Sequence, residues 1–160
     1  MKTMIASGKK TAKIMFMTIC ALLLAAASAA ALILSDRPQR YASVGDFVYP
    51  LHLGSENELH QLGKIFGLEL SMRPVYSTEI VLPENKDRIF REYLSIQERA
   101  GLDTERYCGK SCRLLRYPAD TDKGEKRYVF EILIVKDYLI GAVIYPEEYD
   151  GNMYGLADFL

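Results

Sequence analysis

The chain has 160 residues, 49% of them hydrophobic, which suits one domain with a short accessory segment rather than two domains. The formal charge of −1 hides an uneven split: residues 1–34 hold four lysines and no acid, and the remainder carries 16 basic and 21 acidic residues, a net of −5. An acidic domain is poorly suited to phosphate backbones, which argues against nucleic acid as a partner.

Residues 1–13 form a basic tail with Lys2, Lys9, Lys10 and Lys13. Ile14 to Leu34 follows as 21 residues without a charge. As a helix this run spans about 31 Å, enough for a hydrocarbon core of about 30 Å. Its far flank is less basic, with Arg37 and Arg40 beside Asp36. The positive-inside rule therefore predicts a single-pass cell-membrane anchor over 14–34, with the tail in the cytoplasm and residues 35–160 outside. The rival reading is a signal peptide cleaved after Ala27-Ser28-Ala29, which would secrete the chain without residues 1–29. The apolar run exceeds the ~7–15 residues of a signal core, and cleavage would leave an apolar new terminus, so the uncleaved anchor is favoured. Cys20 lacks a small residue directly before it and most of the apolar run follows it. It reads as a small hydrophobe within the helix rather than a lipid site.

Residues 35–53, with Pro38, Gly45 and Pro50, show no helical period and read as a tether to a domain over 54–160. Ser55 and Glu58 form a capping box, and Leu59, Leu62, Ile65 and Phe66 give the following helix one apolar face up to Gly67. Leu68 to Arg73 and Thr78 to Leu82 read as short strands closed by Pro74 and Pro83. The spacing of Ile89, Phe90, Tyr93, Leu94, Gln97 and Ala100 predicts a second helix over about Glu84 to Ala100, with Glu84–Arg88 and Asp87–Arg91 as supporting pairs. After turns from Leu102 to Lys110, the last third reads as β. Cys112 to Tyr117 is a strand, and Pro118 to Lys126 is a polar loop. In the strand Arg127 to Val135, Tyr128, Phe130, Ile132 and Ile134 oppose Val129, Glu131, Leu133 and Val135. A tight turn at Lys136-Asp137 leads to a partner strand over Tyr138 to Tyr145. Helices followed by consecutive antiparallel strands predict an α+β domain with two helices packed on one face of one sheet.

Several residues in this order also carry a family likeness. They are Arg73-Pro74-Val75, Ile80-Val81-Leu82-Pro83, Tyr93 and Gln97, Gly101 with Asp103, Tyr107-Cys108-Gly109-Lys110, Ile140-Gly141 and Asp150-Gly151. The stretch from about Gly67 to Gly155, just over half the chain, resembles the bacterial domain of unknown function catalogued under number 4830. That resemblance implies a short chain with an N-terminal membrane segment and one outer domain. It implies no activity, cofactor or site residue. There are two departures from the family pattern: Leu94 stands in place of an Asn after the tyrosine, and Ala142-Val143 in place of Gly-Asp after Gly141.

No cofactor motif or metal-ligand cluster emerges, and no catalytic set is visible. Cys108 and Cys112 leave three readings open: a disulfide across a turn at Gly109, two unpaired thiols, or metal ligands. The histidines, His52 and His60, read as tether and helix-surface residues rather than triad members. The acid pairs Glu147-Glu148 and Asp120/Asp122 read as solvated loop charge rather than glycosidase carboxylates. Tyr93, Gln97, Asp103, Tyr107, Lys110, Arg116 and Tyr117 are the best candidates for a recognition surface, since Tyr and Arg are favoured interface anchors. The competing reading is structural: helix end, turn cap and packing tyrosine. The expected function is therefore a non-catalytic binding or interaction module at the cell envelope, meeting an envelope ligand or protein partner. The alternative is a small envelope hydrolase whose site the sequence does not display.

Overall fold

The computed structural model describes Thr18 and residues 21–28, 38–121, 126–148 and 152–159. It divides into two units, Met1–Pro38 and Gln39–Leu160. In the first, Thr18 and residues 21–28 are helical. The remainder of the expected anchor and the whole basic tail lie outside the described residues. Among the described residues no helix is long and apolar enough to cross a membrane.

The second unit is α+β. Its elements are β1 (Tyr41–Val44), β2 (Phe47–Pro50), α1 (Glu56–Ile65), β3 (Leu68–Leu70), β4 (Tyr76–Val81), α2 (Arg88–Arg99), a 3₁₀ turn (Thr104–Tyr107), β5 (Ser111–Thr121), β6 (Tyr128–Val135), β7 (Tyr138–Pro146), β8 (Tyr154–Gly155) and α3 (Leu156–Phe159). β1 and β2 form a hairpin, and the other six strands form one antiparallel sheet. β5 is its organising strand. β6 pairs along one edge, while β4 and β3 share the other, β4 along Ser111–Arg116 and β3 along Ala119–Thr121. Pro118 falls at the gap between those two partners. A proline inside a paired strand forfeits a ladder donor, and here the missing N–H faces a gap between partners. The Pro118 carbonyl still accepts from Ser71 N at 2.9 Å. For this reason β5 runs on through the stretch that the sequence assigns to a loop.

The alternation read in β6 separates two cores. Phe130, Ile132 and Ile134 join Leu68, Leu115, Tyr117, Ala119, Leu139 and Ile144 in the main cluster. Leu133 faces the other way, into a smaller cluster with Leu82, Cys112 and Ile140. α1 covers the main face. Ser55 accepts from Glu58 N and Glu58 reaches back to Ser55 N at 3.0 Å, so both halves of the capping box form. Leu59, Leu62 and Phe66 are buried there, each worth about 1.5–3 kcal/mol on area grounds. Gly67 ends the helix at φ +68°, a left-handed conformation that side chains resist.

Three expectations need correction. The tether is not one: residues 41–50 form the β1–β2 hairpin, and Tyr49 is fully buried, edge-on to Phe66 at 5.3 Å. Its hydroxyl donates to Ala100 O, which fastens the hairpin to the end of α2. Residues 51–53 then run beside β7, where Leu139 N donates to Leu51 O and Leu53 N donates to Asp137 O. The second helix starts later than its apolar spacing suggests, because Asp87, not Glu84, caps it through Phe90 N at 2.8 Å. Asp87 and Glu84 thus precede the helix, the pair that forms is Arg88–Glu92, and Ile89 is 77% exposed. Finally, the helices do not share a face. Tyr93 of α2 packs on the smaller cluster, while Ala100, just past its end, enters the main one. α2 therefore wraps the β7 side of the sheet.

Candidate functional site

The sheet edge at β7 shows what α2 does there. Leu133 faces Gly141 but Ile134 faces Leu139, so Ile140 is an extra, bulged residue. On the opposite edge of β7 the two-residue β8 stops at Val143, which leaves backbone groups before it without ladder partners, and two buried side chains satisfy them. Gln97 Oε1 accepts from Ala142 N at 2.8 Å, and the Thr104 hydroxyl donates to Ile140 O. β8 takes over at Val143 and Ile144, and residues 51–53 hold the other end. Gln97 and Thr104 thus stand in for a stretch of missing strand. Gly141 lets the chain pass close beside them, where a Cβ would lie 3.0 Å from the Tyr93 hydroxyl and press on it.

The sequence-predicted recognition residues do not converge. Gln97 is fully buried on its structural bond, and its Nε2 has no hydrogen-bond partner among the described residues. Tyr117 is 4% exposed in the main core, where burial, and secondarily Glu56, raise its phenol above the ordinary range against the pull of Arg113. Neither residue is offered to a partner. Tyr107 packs against the smaller cluster, with Lys110 over its ring at 5.4 Å. Asp103 lines an open hollow of about 590 Å³ together with Arg91, Glu98 and the Lys86–Glu105 ion pair. Cys108 and Cys112 are free thiols; Cys112 lies buried on β5, its pKa raised by that burial. Among the described residues no group of three His, Cys, Asp or Glu is placed to hold a metal. His52 is exposed and edge-on to Tyr138, and Arg127 engages both Asp120 (3.4 Å) and Glu147 (3.7 Å). Asp122 lies outside the described residues.

Arg116 and Tyr93 do mark a site. Arg116 Nε bonds Glu131 Oε2 at 2.6 Å, the Tyr145 hydroxyl reaches the same oxygen at 3.3 Å, and the guanidinium lies 4.9 Å from the Tyr76 ring. Register explains the convergence. Arg116 pairs with Tyr76 on one side and Glu131 on the other, and Glu131 pairs with Val143, two residue pairs from Val129–Tyr145 and so on the same face. One row of side chains on a single face therefore reads Tyr76, Arg116, Glu131. The hydrogen bond to Glu131 holds Arg116 above its usual pKa. Tyr93 stands beside the cluster, stacked on Phe90 at 6.0 Å, its phenol raised by burial first and then by the charge of Glu131.

This half of the face is open. Tyr76 is 46% exposed, and Leu114, Val129, Glu131 and Tyr145 are only half-buried. On the same strands, Leu115, Phe130, Ile132 and Ile144 turn to the other face and are 7% exposed or less. Glu131, Tyr145 and Tyr76 were not among the sequence-predicted candidates. The available signal was Glu131 itself, a carboxylate in an otherwise apolar strand. A charge there requires either a partner or water, and it has both.

Fold and site together define a small antiparallel α+β domain with one sealed sheet face and one half-open face bearing an aromatic-flanked ion pair. No protein-family model, curated protein or solved structure matches the chain.

Proposed function

We propose that the chain is a non-catalytic interaction module, carried outside the cell membrane by residues 14–34, that takes a protein partner on the open half of its second sheet face. The resemblance to the family numbered 4830 belongs to this proposal and implies the same placement. The observation that carries the reading is the Tyr76–Arg116–Glu131–Tyr145 cluster lying solvent-accessible on a rigid sheet. Tyr and Arg supply large contact area with directional donors, which is the chemistry of protein-interface hot spots. With the Glu131 side chain 13% and the Arg116 side chain 41% exposed, the attraction of this pair is offset by the hydration both groups lose, so stability alone gives little reason to place charges there. Salt-bridging Arg116 to Glu131 also fixes the guanidinium plane before a partner arrives, which lowers the ordering cost of binding.

The test is a photo-crosslinking residue at Tyr145 of the full-length chain in its own membranes, with Gln61 on α1 as the control position. The reading predicts a discrete adduct from position 145 that Arg116→Ala abolishes, and none from position 61. Equal adducts from both positions, or none from 145, would sink it.

A further inference from the structure

β4 is a sheet edge of a different kind from the one at β7. It pairs with β5 alone and runs for six residues without Pro, Lys or bulge, its one guard against pairing being the charge of Glu79. The other edge strands are short: β3 has three residues and β8 two. Among the described residues β4 is the one long edge left open.

Its backbone has a definite polarity. Leu82 N donates to Lys110 O at 3.1 Å, in register with the Ile80–Cys112 pair, so the even-numbered residues of β4 turn their N–H and C=O toward β5. Ser77, Glu79 and Val81 turn theirs outward. Side chains follow the same parity: Tyr76, Thr78 and Ile80 lie on the second face, Ser77 and Glu79 on the other.

We propose that the partner of this edge is β4 of a second copy of the chain, joined antiparallel about a two-fold axis at Thr78. Faces match only when the paired residue numbers sum to an even value, and outward hydrogen bonding then falls on odd-numbered pairs. With Thr78 opposite Thr78 of the second copy, Ser77 exchanges hydrogen bonds with Glu79, and Tyr76 lies against Ile80. Apolar meets apolar, Thr meets Thr, and no like charges face each other, all favourable cross-strand pairs. Moving the axis to Glu79 sets two carboxylates opposite each other, which is unfavourable. With its axis at Thr78 the edge is self-complementary, as a closed two-fold interface requires, and this register sets Thr78 against Thr78 and Tyr76 against Ile80 together. This inference goes beyond the partner-binding reading and does not depend on it: the two share Tyr76, but Arg116, Glu131 and Tyr145 lie on the face rather than on the β4 edge.

The experiment is mild oxidation of the full-length Thr78→Cys chain in membranes, alongside Gln61→Cys and the native sequence with its own thiols. A non-hydrogen-bonded antiparallel pair brings Cα atoms to about 4.5 Å, within disulfide reach. Thr78→Cys should give at least about fivefold more covalent dimer than either control. Adding Ser77→Glu, which faces Glu79 twice, should cut that yield at least about fivefold, whereas Ser77→Lys should preserve or raise it. Dimer no greater than the controls overturns the proposal. Equal yields from Ser77→Glu and Ser77→Lys overturn the register. Thermal midpoints of the Ser77 variants should match that of the parent, and a midpoint lowered in step with the yield would assign the loss to unfolding and also count against the proposal.

Discussion

The two faces of the sheet are built from the same strands and differ in what covers them. Over one face, α1, the β1–β2 hairpin and α3 seal a continuous apolar layer in which Tyr49, Leu62, Leu68, Phe130, Ile132 and Ile144 are wholly excluded from solvent. Over the other, α2 and the 3₁₀ turn cover the end near Leu82, Cys112, Leu133 and Ile140, and Val143, in the row of Glu131, is fully buried as well. The remainder is left to Arg116, Glu131 and their tyrosines. One face thus accounts for stability and the other for exposed chemistry. The division arises because alternate residues of β5, β6 and β7 belong to different faces.

Truncations on adjacent residues of β6 should separate the faces most sharply. Phe130→Ala, in the sealed layer, should cost about 3–5 kcal/mol and drastically lower the midpoint in denaturant unfolding. Val129→Ala, one residue away on the open face, should cost about 1 kcal/mol or less. Near-equal losses would erase the distinction. Next come the side chains that replace a strand at β7. Thr104→Val keeps shape but strands the Ile140 carbonyl, and Gln97→Met strands the Ala142 N–H; each should cost about 1–3 kcal/mol. Hydrogen exchange at Ala142 would report the second change directly.

Alkaline pH probes a buried phenol on each face, Tyr49 on the sealed one and Tyr93 on the covered end of the other. Burial raises the phenol pKa values of Tyr49 and Tyr93 above the ordinary value of about 10. In the unfolded chain these groups release protons first, so their contribution is intact below pH 10 and is lost as pH rises above it. Unfolding measured from pH 8 to 11.5 should show stability falling above pH 10, and Tyr93→Phe should make that fall shallower. The smallest effect lies in the turn beyond both faces. Lys136 and Asp137 hold φ of +49° and +66°, a strained pair for side chains in a two-residue hairpin. Replacing them with Asn-Gly should raise stability by about 0.5–1 kcal/mol.

Much of this architecture was legible wherever one local pattern decides the outcome. The Ser55–Glu58 box, the stop at Gly67, the Lys136-Asp137 turn and the alternation of β6 are all short-range signals. What the sequence obscured depends on distant partners. Residues 41–50 look like a linker until Tyr49 meets Phe66 and Ala100, 51 residues away in sequence in the second case. Pro118 looks like a strand terminator until it is placed opposite the gap between β3 and β4. Gln97 and Tyr117 suggested recognition by residue type, yet burial gives both to the interior. The site was half legible. Arg116 stood among the candidates, but its partners Glu131, Tyr145 and Tyr76 come from three other strands, and only register brings them together.

The central claim is that the open half of the second face is occupied by a protein in the chain's own membrane. Radical footprinting of tyrosines tests it most directly, on the full-length chain in native membranes and again after purification. The account predicts that Tyr145 is protected in membranes and reactive once purified, while Tyr49 and Tyr117 stay unreactive in both. Tyr145 equally reactive in both preparations would contradict it.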